Sequence, residues 1–352
     1  MEEQTIITGE HVKACRDKDD RPERCFHGQR VPREPVLSIV TPTYNAMPYL
    51  AEAIESTEAL GEEFAFEHVV ADGASTDGSV GLLSGAEYVR GVSQPDDGLY
   101  SALNWTLRHA HGRYVQWLNA DDLLCPNFTR RAVELLEAHD NIDLVLGSTL
   151  FIDAAGVVEE TWRYEPYRAV DLWACAQGYF FNINSAVFRT DLLRSVGDFD
   201  QSTYPTAADI DFEMRLLRNK IDAVVLDEPA YVFRRHASSR TSGEDAPERV
   251  MQTGWRLFET WSMDESLDTA LRRAFALRAM ELRLGWCFKR LRTFGRRAEA
   301  LGDLVQLLST RPRETGLAAK SWLDKKFRGG FVPMKSEHTT AADEVSGTAG
   351  RR

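Results

Sequence analysis

From residue 36 onward, short apolar runs alternate with helix-length stretches, and no other feature of the chain narrows its fold so far. The runs are VLSIV at 36–40, HVVAD at 68–72, YVRGV at 88–92, YVQWL at 114–118 and IDLVLG at 142–147. Between several of them, apolar positions recur at helical spacing over 47–60, 99–109 and 128–139. Strand, helix, strand alternation implies right-handed crossovers and an α/β fold, with a Rossmann-like, mostly parallel sheet flanked by helices. In such sheets ligands are held by loops at the carboxyl ends of the strands. That is where the sequence concentrates its Asp, Asn, Thr and Gly.

A chain of 352 residues suits one enzyme-sized domain with an appendage. Residues 1–35 are polar and aperiodic, which reads as a loosely ordered lead-in. The domain itself is expected over 36–245, a helical, basic C-terminal region over 246–335, and a disordered tail over 336–352. The net charge of −12 argues against nucleic acid as a partner. Charge is nevertheless unevenly placed, since residues 271–335 hold 16 basic and 5 acidic side chains. Cys15, Cys25, Cys125, Cys175 and Cys287 are odd in number and form no CxxC pair, so a reducing compartment is expected. No basic segment followed by an apolar run marks the start as a secretory signal, and no run reaches the length of a membrane span. A cytoplasmic protein follows, with a peripheral seat on the inner face of the plasma membrane as an added option. Neither GxGxxG nor GxxxxGK[ST] occurs, which removes dinucleotide-binding and P-loop readings.

Four polar clusters carry the chemistry. YVQWLNADDLL (114–124) runs an apolar strand into Asn119, Ala120, Asp121 and Asp122. Carboxylates stacked at a strand end repel unless a cation is held there, and oxygen ligands suit Mg²⁺ or Mn²⁺. A strand-ending turn with a helix cap would use the same residues. VVADGASTDGS (69–79) ends a strand on Asp72 and continues into a tight turn, where an acid can read a base edge or ribose hydroxyl. SQPDDGLYSALN (93–104) places Asp96 and Asp97 ahead of a helix bearing Asn104, which is also how helices are capped. AADIDFEMRLL (207–217) sets Asp209 and Asp211 before an apolar-periodic helix. There one carboxylate can take a proton from an attacking hydroxyl, or both can serve the helix dipole.

Taken together and in this order, the clusters resemble the family 2 inverting glycosyltransferases of the GT-A fold, over residues 37–242. LSIVTPTYNAMPYLAEAIES is similar to that family's opening strand, turn and helix, and LNADD to its metal-binding DxD segment. AADIDFEMRL is similar to the element bearing its catalytic base, and YVFRRHASSRTS to its closing segment. The resemblance implies that Thr41, Pro42, Thr43, Tyr44 and Asp72 line the nucleoside pocket, and that Asp96 and Asn104 stand near the donor. It implies that Asn119 and Ala120 lie beside the ribose, that Asp121 binds Mn²⁺ or Mg²⁺, and that His236 contacts metal or diphosphate. Asp209 would be the general base, with Asp211 structural and second choice as base. Three positions depart from the pattern: Asn119 replaces an Asp, Ala208 replaces the Glu before the base, and Gln94 stands where Glu is frequent.

The activity so implied is inverting transfer of a sugar from a nucleoside-diphosphate sugar, UDP-sugar favoured, to a hydroxyl of a saccharide or lipid-linked acceptor. Bacterial polysaccharide or glycolipid assembly in the cell envelope is the setting. Two other classes compete. A sugar-nucleotide-forming nucleotidyltransferase would want a basic phosphate loop after the first strand, and TPTYNAMPY has no basic residue. A non-catalytic nucleotide-sugar-binding protein would be expected to lose the acidic pairs. The basic stretch 271–335 allows either contact with an anionic membrane surface or packing against the acidic domain.

Overall fold

The computed structural model describes residues 24–61, 65–164, 171–178, 180–239, 246–292, 297–327 and 336–337. In chain order they form β1 (Arg24–His27), β2 (Leu37–Thr43), α1 (Leu50–Glu58), β3 (Phe66–Asp72), α2 (Ser79–Gly85), β4 (Val89–Ser93), α3 (Leu99–His109), β5 (Tyr114–Trp117), β6 (Leu123–Leu124) and α4 (Pro126–Ala138). There follow β7 (Leu144–Ile152), β8 (Val158–Trp162), α5 (Leu172–Gln177), β9 (Ala186–Arg189), α6 (Thr190–Val196), α7 (Ala208–Arg218) and β10 (Ala223–Arg234). The last elements are α8 (Ala246–Ser262), α9 (Thr269–Arg292), α10 (Arg297–Thr310), α11 (Pro312–Phe327) and β11 (Ser336–Glu337). They divide into two compact units, Met1–Glu134 with Val187–Arg194, and Leu135–Ala186 with Ser195–Arg352.

In the first unit the strand order is β1-β4-β3-β2-β5-β9. β4, β3, β2 and β5 run parallel, while β1 pairs antiparallel with β4 and β9 antiparallel with β5. Every residue of β2 and β3 is buried, as expected of parallel strands covered on both faces. The chain passes from β2 to β3 and β4 on one side and returns to β5 on the other, so the strand order reverses beside β2. A crevice outside the carboxyl ends is found at such a reversal. β2 extends to Thr43, beyond the turn expected after Val40. Pro42 is tolerated because Val40 accepts the Leu118 N–H, which turns the even positions of β2 toward β5, and that pairing ends at Val40 and Trp117. β1 falls within the stretch read as a lead-in; residues 1–23 of that stretch lie outside the described residues.

The second unit builds its sheet on β7, which pairs parallel with β10 and antiparallel with β8. β8 follows β7 through a hairpin whose Asp153 carboxylate accepts the N–H groups of Ala155 and Val157. The aromatic core of α8 and α9 comes from Phe258, Trp261 and Phe275, with ring centroids 5.9 and 6.0 Å apart. A further cluster joins Met280, Leu284, Cys287, Leu307 and Ala318 of α9, α10 and α11. Several arginines of the basic stretch find partners inside this helical layer. Arg278 pairs with Glu281, Arg290 with Glu299 and Asp303, and Arg311 with Glu259. Arg283 lies 4.9 Å from the Trp255 ring centroid. Of the expected tail, Ser336–Glu337 pairs with Trp162 and Thr161, and 338–352 lies outside the described residues. No described helix is long and apolar enough to cross a membrane.

Candidate active site

The parallel registers set Thr43 level with Asp72, and Asp72 level with Ser93, so three polar residues form a row across the carboxyl ends of β2, β3 and β4. Asp72 is 1% exposed and anchors that row. Its Oδ2 accepts the Ser75 N–H (2.9 Å) and the Ser93 hydroxyl (2.7 Å), and its Oδ1 accepts the Ser75 hydroxyl (2.5 Å). Ser75 Oγ in turn accepts the Asn45 N–H at 2.7 Å, and Asn45 Oδ1 accepts the Thr76 N–H at 2.9 Å. Asp77 completes the lattice by accepting the Met47 N–H and both donors of Ser79. Those hydrogen bonds hold the Asp77 carboxyl below its ordinary range, against the opposing effect of its slight burial. The loops after β2 and β3 are thereby knitted together.

Backbone strain sits in the same place. Asn45 adopts φ 49°, which Asn tolerates, and Ala74 adopts φ 63°, which a residue with a Cβ seldom does. Such conformations persist where surrounding contacts over-determine them, and they gather at binding sites. Tyr44 is two-thirds exposed, and a Cβ placed on Gly73 would lie 3.2 Å from its ring and 3.3 Å from Asp96 Oδ2. Glycine at 73 therefore lets Tyr44 and Asp96 close over the turn. Loss of solvation raises the Asp96 carboxyl above its usual range; the charges of Asp72 and Asp97 add to this, and the Gly98 N–H opposes it.

The other expected residues of this unit differ in what their side chains offer. Thr43 is 5% exposed and its hydroxyl has no hydrogen-bond partner among the described residues. Thr41 is fully buried with its hydroxyl 2.7 Å from His68 Nε2. Thr57 donates to the Ile54 carbonyl, so it accepts from His68 Nδ1, and Nε2 accepts from Thr41. Complete burial holds His68 neutral, with its pKa pushed down to about 3. The Ala120 side chain belongs to the core with Leu50, Ile54 and Val70. Pro42 and Asn104 are buried. Asn119 is partly buried, and its amide donates to the buried Asp122 carboxylate at 3.0 Å, beside the partly exposed Asp121.

In the second unit, Asp209 is half-buried in the first turn of α7, where its Oδ1 accepts the Ile210 N–H. Asp211 faces inward. It accepts Arg215 Nε at 2.8 Å and Trp261 Nε1 at 3.2 Å, and Arg215 donates on to the carbonyls of Val196 and Asp198. That geometry makes Asp211 a brace. Four residues after Asp209, Glu213 is buried with its Oε1 accepting the Phe181 N–H. His236 follows β10 with Nδ1 2.8 Å from Ser238 Oγ; Arg240 to Ser242 of the same segment lie outside the described residues. Sequence reasoning passed over Asn45, His68 and Glu213. The spacing of Glu213 from Asp209, one helical turn on an otherwise apolar face, was the available signal for the last.

No group of three His, Cys, Asp or Glu side chains suited to a metal occurs among the described residues. A hard divalent ion commonly takes one or two carboxylates from the protein and its remaining ligands from substrate phosphates, and the oxygen donors of Asn119 and Asp121 fit that pattern.

The family model "Glycosyl transferase family 2" matches residues 38–197. That match makes residues 38–197 similar to the glycosyltransferases of family 2. The family 2 segment contains the knitted loops and the Asn119–Asp122 turn. Among curated relatives, an uncharacterized glycosyltransferase of Rickettsia conorii is 31% identical over 236 residues, covering 64% of this chain and 37% of that protein. Another, of Mycobacterium tuberculosis, is 28% identical over 196 residues, covering 51% of this chain and 68% of its own length. The chain spans only 35% of the length of a Rickettsia felis relative. Among solved structures, S. aureus TarS 1–349 in complex with UDP-GlcNAc aligns with a TM-score of 0.57 at 19% identity, covering 84% of this chain and 93% of that one. A Pyrobaculum calidifontis mannosyltransferase in complex with GDP-Man and Mn²⁺ aligns at 0.50 and 19%, over 86% and 91%. The fold is that of these GT-A glycosyltransferases.

Proposed function

We propose that this chain is an inverting glycosyltransferase that moves a sugar from a nucleoside-diphosphate donor, UDP-sugar favoured, to a hydroxyl of a saccharide or lipid-linked acceptor. The observation that carries this reading is the row Thr43, Asp72 and Ser93 with its knitted loops. It offers a braced acid and a buried Thr43 hydroxyl that the described protein leaves without a partner, at the end of the sheet where ligands bind. Tyr44, Asp96 and the main chain of Thr41, Pro42 and Ala120 line the nucleoside and ribose side, with Asn104 and Asn119 supporting them. That TarS binds UDP-GlcNAc supports a UDP donor for this chain.

In this reading Asp209 accepts the proton of the acceptor hydroxyl as that oxygen attacks the anomeric carbon, and the nucleoside diphosphate leaves from the opposite face. Asp121, with the Asn119 carbonyl oxygen, would hold Mn²⁺ or Mg²⁺, and the bound ion supplies positive charge for the departing diphosphate. His236 would add a contact to the diphosphate. Asp211 and Arg215 keep the Asp209 helix in place. The acceptor meets the enzyme in the cytoplasm or at the inner membrane face, with residues 271–335 as the peripheral contact.

Binding of UDP, GDP, dTDP, CMP and ATP, each with and without Mn²⁺, tests the reading by thermal shift. Metal-dependent stabilisation by one nucleoside diphosphate is expected, with the metal-dependent part lost in Asp121→Ala. Equal silence toward all five nucleotides would count against the donor site.

A further inference from the structure

Helix α7 carries a third acid that the proposed chemistry leaves unused. Glu213 lies four residues from Asp209, on the same helix face, and is 4% exposed. Other buried acids of this protein are well provided with donors. Glu67 takes Arg90, the Ser38 hydroxyl and the His111 N–H; Glu281 takes Arg278; Asp211 takes Arg215 and Trp261. Glu213 takes one amide, the Phe181 N–H at 3.1 Å, and among the described residues it forms no ion pair. The groups that face it are acidic: Asp209 on its own helix, the Cys175 thiol of α5, and the Tyr164 phenol that follows β8. An isolated carboxylate at that depth is costly enough that the group keeps its proton instead.

We propose that Glu213 is a proton-bearing positioning residue for sugar transfer, an uncharged carboxyl that ties the Asp209 end of α7 to Phe181 and leaves the negative charge of that helix face to Asp209. The proposal rests on the assignment of Asp209 as base. Electrostatics points the same way, since burial and then the charge of Asp209 raise the Glu213 carboxyl well above its ordinary range, the Phe181 N–H opposing. Phe181 opens a tightly held segment. Asn182 accepts the Asn184 N–H and donates to Thr149, while its own N–H reaches the Tyr164 hydroxyl at 2.6 Å. Asn184 donates to the buried Tyr231 hydroxyl at 2.8 Å. Glu213 thus links the helix of the base to a fixed floor.

The test compares Glu213→Gln and Glu213→Ala with the parent chain by steady-state kinetics and by thermal unfolding across pH. Gln reproduces an uncharged carboxyl in shape, so kcat should stay within about twofold, whereas Ala should lower kcat about tenfold with donor KM unchanged. Unfolded glutamate ionises near its ordinary pKa while the folded side chain keeps its proton, so rising pH favours unfolding of the parent but not of Glu213→Gln. The melting temperature of Glu213→Gln relative to the parent should therefore climb steadily from acid to alkaline pH. A gap that stays constant, or shrinks, overturns the uncharged state; a Gln variant as slow as the Ala variant overturns the positioning role. If Ala fails to fold, the Gln series decides alone. A fully active Asp209→Asn beside a climbing gap would refute the base assignment while leaving the uncharged Glu213 established.

Discussion

Asp209 and Asp211 are two residues apart and chemically alike, yet the structure gives them different surroundings. Asp211 is held by Arg215 and the Trp261 indole, so its oxygens are engaged in bracing, while Asp209 stands half-buried at the helix start. Replacing Asp209 by Asn should lower kcat about a hundredfold or more with little change in donor affinity, as steady-state and binding measurements would show. Undiminished turnover would remove Asp209 from the chemistry. Replacing Asp211 by Ala should instead act through stability, by about 2–3 kcal/mol in denaturant unfolding, because Arg215 and the Trp261 indole lose an acceptor in a largely buried place. His68 supplies a pH signature. Its folded pKa of about 3 lies below its ordinary value of 6.5, so the unfolded chain binds the extra proton, and stability is lost as pH falls through that window. A His68→Gln variant should show a flatter acid limb in thermal unfolding, and an unchanged slope would mean that another group carries it.

At the scale of elements, the strands depend on how closely their backbones meet. A Cβ on Gly91 of β4 would lie 1.8 Å from the Val70 carbonyl oxygen in β3, so Gly91→Ala should cost about 4 kcal/mol or leave the protein insoluble, read by expression yield and melting temperature. Such contacts explain what the sequence could and could not reveal. The alternation of apolar runs was enough to find the parallel strands β2, β3, β4 and β5 of the first unit, because strands buried on both faces are written as continuous hydrophobic segments, as in VLSIV and HVVAD, but it passed over β10, the parallel partner of β7. It stopped at Val40, short of Thr43, since a Pro inside a strand reads as a turn unless one knows that the neighbouring strand has already ended. The arc 24–27 was invisible as a strand because an edge strand of four residues, mostly exposed, has too few apolar positions to show a period. Asp72, Asp96 and Asp121 stood out by their place after apolar runs. Asn45, Glu67 and His68 did not, because their partners lie far along the chain: Asn45 meets Ser75 and Thr76, His68 meets Thr41, and Glu67 meets Arg90.

For the whole molecule, the net charge of −12 hides a C-terminal stretch of opposite sign, whose helices join through the Met280, Leu284, Cys287, Leu307 and Ala318 cluster and through Arg290 with Glu299 and Asp303. Arg273, Lys289, Arg313 and Lys320 remain exposed, as do Leu301, Val305 and Leu308, which share a face of α10 at helical spacing. If 271–335 is a peripheral membrane contact, vesicles rich in anionic lipid should carry the protein in flotation at low salt and release it at high salt. Flotation indifferent to both lipid charge and salt would refute that contact. The two connections that cross the polar end of the first unit also set limits on natural variation. The segments after β2 and β3 are locked together at Asn45–Ser75, Asn45–Thr76 and Met47–Asp77, so each fixes the length of the other. The Asp153–Val157 hairpin is closed by its own Asp153. An insertion scan should find extra residues accepted at the hairpin tip and rejected in both locked segments, making loop length itself a heritable trait in one place and a forbidden one in the other.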